Sequence, residues 1–138
     1  MPPKTASART AHWLWPPLLL GCFTTIVAWL MVALATDRQS GWMALLTAAE
    51  VAFMLRLGSF APGRARAVIG MLATALVIVA AQWTIASAQL GLSMGLDVLG
   101  ASLRMGPRLA WMLSALANSG WDWLCYALAL VLAAWASR

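Results

Sequence analysis

Long uncharged stretches alternate with short polar breaks along this chain. That alternation predicts an all-α protein, a bundle of four membrane-spanning helices. The first stretch runs from Thr10 to Thr36. Pro16 and Pro17 lie near its start, where a missing N–H costs a helix little. A helix over about 16–36 rises about 31 Å, close to the hydrocarbon thickness of about 30 Å. It ends at the polar stretch from Thr36 to Gly41. A second helix is expected over about 41–59, with Glu50 in its middle and Arg56 near its end. The turn Phe60-Ala61-Pro62-Gly63-Arg64 breaks it. A third helix follows at about 66–90, inside a run from Ala67 to Leu96 that carries no charge.

The segment 91–118 does not fit a span. Gly91, Gly95, Gly100 and Gly106-Pro107 interrupt it, and Asp97, Arg104 and Arg108 charge it. Leu109, Trp111, Met112 and Leu116 recur at roughly helical spacing, which predicts an amphipathic interfacial segment. Ser119 followed by Asp122 reads as a capping box, starting a fourth helix at about 120–137. The competing reading merges 108–137 into one long tilted helix. The break at Asn118-Ser119-Gly120 favours the two-part reading. The expected domain is a single transmembrane unit over 1–138, with residues 1–11 as a disordered cytoplasmic tail.

Composition supports the membrane reading. Apolar residues make up 63% of the 138 and charged residues 9%, whereas a soluble domain is about a quarter charged. The net charge of +5 is scattered singly or in pairs between apolar runs, so no basic face for nucleic acid forms. With the N-terminus inside, Lys4, Arg9, Arg56, Arg64, Arg66 and Arg138 fall on the cytoplasmic side. Arg38, Arg104 and Arg108 fall outside, so the positive-inside rule places both termini in the cytoplasm. Trp13, Trp15 and Trp135 then mark one interface, and Trp42, Trp111, Trp121 and Trp123 the other. Trp29 and Trp83 lie deeper. Arg-over-Lys and Ala-rich usage points to a GC-rich bacterial genome, and the expected location is a bacterial inner membrane.

Leu19-Leu20-Gly21-Cys22 resembles a lipoprotein cleavage motif. Pro16-Pro17, the bulky Leu20 and the apolar continuation after Cys22 argue instead for an uncleaved anchor. Cys22 and Cys125 lie inside apolar runs and imply no disulfide framework.

Glu50 is the most informative polar residue. It lies near the bilayer centre, where an ionised acid must face the bundle, be protonated or find a partner. Thr24, Thr25 and Gln82 are its candidate partners. Arg56 lies six residues on, off its helix face, and is expected to snorkel to the interface. Gln82 and Gln89 share one face of the third helix, with Thr84 and Ser87 nearby. Thr24, Thr25, Glu50, Gln82 and Gln89 therefore form the candidate intramembrane polar site. Ala86, Ser87, Gly91 and Gly95 make a small-residue ridge suited to close helix approach, within the chain or between copies. Asp122 is explained by capping, and His12 by a headgroup contact.

No chemistry beyond this is indicated. One His, two isolated Cys and four scattered acids give no metal set. No catalytic constellation and no phosphate loop occur, and no cofactor is implied. Asp97 and Asp122, the best acids for a lipid-linked enzyme, lack partners. The expected function is a non-catalytic accessory or scaffold component of a membrane assembly. Its partners are the bilayer and a second copy or another membrane protein. The alternative is a small oligomeric proton- or cation-coupled transporter centred on Glu50.

Overall fold

A computed structural model describes residues 15–58 and 60–138. The tail at 1–11, His12 and Trp13 lie outside the described residues. Six helices and no strand occur among those described: α1 (Trp15–Thr36), α2 (Met43–Leu57), α3 (Arg64–Met94), α4 (Val98–Arg104), α5 (Pro107–Ala117) and α6 (Gly120–Ala136). Only α1 and α3 are, as single helices, long and apolar enough to cross a membrane. A third span results if the bent pair α5–α6 is taken as one. The 15 residues of α2 rise about 22 Å, short of the hydrocarbon thickness of about 30 Å. The expected second span at about 41–59 is thus a shorter helix: Gly41 and Trp42 form the turn that enters it, and the helix stops before Gly58.

Packing follows from narrow stripes. In α1 the buried positions are Leu18, Gly21, Thr25, Trp29 and Ala33, three or four residues apart, which is one face of a helix. α1 packs on α2 and α3, and α6 also packs on α2 and α3. α2 and α3 therefore form the short diagonal of a four-helix rhombus. Hydrogen bonds set the directions. Asp122, in the first turn of α6, accepts from the Gly41 N–H just before α2 at 2.9 Å. Arg56, in the last turn of α2, donates to Ala136 O at the end of α6 at 3.0 Å. α2 and α6 thus run the same way. Arg66, at the start of α3, donates to Ser137 O and Arg138 O past the end of α6, so α3 runs against it. Below, the end holding Trp15, the α2–α3 turn and the close of α6 is called basal. The end holding the α1–α2 turn and the start of α6 is called upper.

The helix ends have physical causes. Past α1, Asp37 adopts φ 53°, and Arg38 N–H donates back to Ala33 O at 3.3 Å, a Schellman closure. α3 continues four residues beyond the 90 expected from sequence. Gly91 does not end it but allows contact: a Cβ there would lie 2.7 Å from Leu96 O. Gly95 ends it in the left-handed region at φ 67°. The small-residue ridge therefore serves contact within the chain, with α4 folded back on α3.

The segment 91–118 holds the last turn of α3 and two short helices, α4 and α5. Asp97 caps α4 by accepting from Gly100 N–H at 3.2 Å. Pro107 opens α5 at its first position. Ala110 and Ser114 of α5 are buried, while Leu109, Trp111, Met112 and Leu116 are exposed, the amphipathic pattern expected from their spacing. Between α5 and α6 the chain turns by 109°, so the single long helix over 108–137 does not form. Ser119 and Asp122 make the expected capping box.

At the basal end, two arginines close α6. Arg56 takes Ala136 O, and buried Arg66 takes Ser137 O, Arg138 O and, at 3.1 Å, Phe60 O. The final carbonyls of a helix lack intrahelical donors, and guanidinium N–H groups supply them.

Candidate functional site

Several polar side chains of the upper half converge on the α5–α6 elbow. Three of them form a closed ring. Asn118 Nδ2 donates to Gln82 Oε1 at 3.2 Å. Gln82 Nε2 donates to Tyr126 Oη at 2.6 Å. Tyr126 O–H donates to Asn118 Oδ1 at 2.6 Å. The sense of the ring is fixed from outside. Asn118 Nδ2 also donates to the backbone Ser114 O at 2.7 Å, and a carbonyl only accepts. All three side chains are buried. Rings of this kind polarise their members and are stronger than isolated pairs. The ring ties α3, the C-cap of α5 and α6 together, and so fixes the elbow.

The upper loop reinforces it. Trp29 is fully buried and donates its indole N–H to Gln39 O at 2.9 Å. Its ring lies 6.2 Å from that of Tyr126. Asp122 serves both its own helix and the loop, accepting from Ser119 N–H at 2.8 Å and from Gly41 N–H. A Cβ on Gly41 would fall 2.8 Å from the Asp122 Cα, so only glycine allows this approach.

Beside the ring lies a cavity of about 280 Å³ bounded by α3, α5 and α6. Trp83, Trp111 and Trp123 supply its aromatic walls, and Gln82, Ser114, Asn118 and Tyr126 its polar side. Trp83 is held by an N–H bond to Ser102 Oγ of α4 at 2.8 Å. Trp111 and Trp123 lie 5.9 Å apart, and Trp123 meets Tyr126 edge-on at 5.8 Å.

Four of the five residues read together from sequence divide between two places. Glu50, half-buried in mid-α2, is within hydrogen-bond reach of Thr24 and Thr25 of α1. Both hydroxyls also reach Gly21 O at 2.9 Å. Each carries one proton, so two protons serve four contacts. Thr24 faces outward, while Thr25 is buried. Gln82 does not join this group; its bonds go to the elbow. Gln89 is exposed, and it belongs to neither place. Arg56 turns to α6 rather than to Glu50.

Sequence reasoning missed Asn118 and Tyr126 as partners of Gln82. Asn118 served only as a helix breaker there, and the single Tyr of the chain drew no attention inside an apolar helix. A tyrosine in such a helix needs a hydroxyl partner when buried, and that was the available signal. Among the described residues no group of His, Cys, Asp or Glu side chains is placed to hold a metal ion. Compared with known proteins, the chain matches no family model, no curated protein and no solved structure.

Proposed function

We propose that this chain is a four-span protein of a bacterial inner membrane, with both termini cytoplasmic, serving as a non-catalytic accessory or scaffold component of a membrane assembly. The observation that carries the reading is the use made of its polar groups. The Gln82–Tyr126–Asn118 ring is closed on itself, Asp97 and Asp122 cap helices, and Arg56 and Arg66 close α6. Side chains that could do chemistry are instead joining helices. Meanwhile α4 and α5 present large apolar side chains outward, with Leu103 81% and Leu116 79% exposed, a surface suited to lipid or to a partner helix.

Four spans are supported by the lateral packing of the two shorter helices. α2 and α6 lie alongside α3, and Leu46, Phe53, Leu57, Leu124 and Leu128 point away from the bundle. The basal end holds Arg56, Arg64, Arg66 and Arg138 without an acid among the described residues. The upper end mixes Arg38, Arg104 and Arg108 with Asp37, Asp97 and Asp122. That asymmetry supports a cytoplasmic basal end. Reporter fusions at the C-terminus test this, and a periplasmic signal would refute the four-span arrangement. For the scaffold role, affinity purification in mild detergent is expected to recover a stable stoichiometric complex. Recovery of free monomer alone counts against it.

A second reading is favoured by one observation: the mid-membrane carboxyl of Glu50 has hydroxyls, not a cation, as its hydrogen-bond partners. In that reading the chain is an oligomeric transporter coupled to protons or cations. Proteoliposomes under a pH gradient would then show cation or drug flux that Glu50→Gln abolishes. Absence of flux in the unaltered protein excludes it.

A further inference from the structure

We propose that the cavity at the elbow is a lipid site, in which the second N–H of Gln82 and the hydroxyl of Ser114 receive an ester carbonyl of a glycerophospholipid.

Donor counting leads to this ligand. A primary amide has two N–H groups. Gln82 Nε2 makes one hydrogen bond among the described residues, to Tyr126. Asn118 Nδ2 has both of its donors engaged, and the Tyr126 proton is engaged as well. Ser114 contributes its backbone carbonyl to the ring, but its side-chain Oγ makes no hydrogen bond among the described residues. That Oγ is not among the buried polar atoms left without a partner, so it retains access to open space although the residue is largely buried. Gln82 and Ser114 both line the cavity. Two donors without a partner among the described residues thus belong to residues that line the cavity, and for the buried Gln82 amide an N–H without an acceptor is costly.

The remaining walls define the rest of the ligand. No charged residue lines the cavity, so the group bound there is neutral. The walls are apolar and aromatic, which suits hydrocarbon beside that oxygen. The volume of about 280 Å³ lies at the small end of ligand pockets, about 300–1,000 Å³. It accepts part of a lipid rather than a whole one.

Depth and charge select the phospholipid. This step rests on the proposed crossing of the membrane by α3. Gln82 stands eighteen residues after Arg64, the start of α3, about 27 Å of helix rise. The hydrocarbon layer is about 30 Å thick, so the amide reaches its far boundary, the level of glycerol esters. The exposed indoles of Trp111 and Trp123 suit the same level. Arg104 at the end of α4 and Arg108 in the first turn of α5 are both exposed, and they give the elbow positive charge to meet the lipid phosphate.

The test compares two lipids that differ only in the carbonyl. The purified full chain in detergent is titrated with dioleoyl phosphatidylglycerol or with its dialkyl ether analogue, and native mass spectrometry counts bound lipid. One retained diester lipid is expected, with the diether bound about twentyfold more weakly, the effect of two hydrogen bonds. Ser114→Ala leaves the ring intact, because the ring uses only the Ser114 backbone. It should cut the preference for the diester to about fivefold, the part that the Gln82 amide supplies. Equal binding of diester and diether, an undiminished preference in Ser114→Ala, or no retained lipid each overturns the proposal. The span reading is judged separately by the topology reporters, so the two can fail independently.

Discussion

Two polar places in one apolar protein meet the same physical problem differently. At the elbow, Gln82, Asn118 and Tyr126 satisfy one another in a buried ring drawn from three elements. In the middle of α1 and α2, Glu50 shares two hydroxyl protons with Gly21 O, and Thr24 stands at the outer surface of the bundle. The elbow is closed, and its loss leaves buried groups stranded. The Glu50 place is open on one side and holds its partners loosely. The difference teaches that a polar residue inside an apolar helix is not by its presence either glue or machinery. What decides is whether its partners close on one another within the fold.

That contrast predicts unequal costs. Asn118→Leu should have the largest effect, because it removes partners from Gln82 and Tyr126 together. A loss of about 2–3 kcal/mol is expected in reversible unfolding in mixed detergent micelles. A loss below about 0.5 kcal/mol would show the ring to be incidental. Tyr126→Phe removes one hydroxyl from the same ring while keeping the aromatic contacts with Trp29 and Trp123. About 1–2 kcal/mol should be lost in the same assay.

Glu50→Gln should cost less than about 1 kcal/mol. The amide keeps the shape and can still hydrogen-bond Thr24 and Thr25, and interhelical polar contacts in membranes average only about 0.6 kcal/mol. A cost as large as that of Asn118→Leu would make Glu50 a structural centre and remove the contrast. Gln89→Ala should change stability by no more than about 0.5 kcal/mol, as expected of an exposed side chain away from such contacts. A larger loss would contradict the placing of Gln89 outside both polar places.

The elements were readable from sequence to differing depth, for physical reasons. α1 and α3 follow from long uncharged runs, and the start of α6 from the local pair Ser119 and Asp122, whose mutual hydrogen bonds need no tertiary context. Glu50 and the two threonines could be paired because an acid in an apolar helix has few choices. The end of α3 was misjudged at Gly91, since a glycine reads as a breaker unless the close approach of Leu96 is known. The ring was not readable at all. Gln82 lies 36 residues from Asn118 and 44 from Tyr126, and they meet where α6 packs on α3 and the chain bends by 109°. Arg66 likewise looked like an ordinary interfacial charge, because two of its three acceptors are backbone carbonyls some 70 positions away.

The claim at the centre of this account is that the closed ring holds the elbow as a unit. A double-mutant cycle between Gln82→Leu and Tyr126→Phe, read by unfolding in mixed micelles, measures it directly. Coupling of about 1 kcal/mol or more between the two positions is the predicted result. Costs that simply add, within about 0.3 kcal/mol, would contradict it.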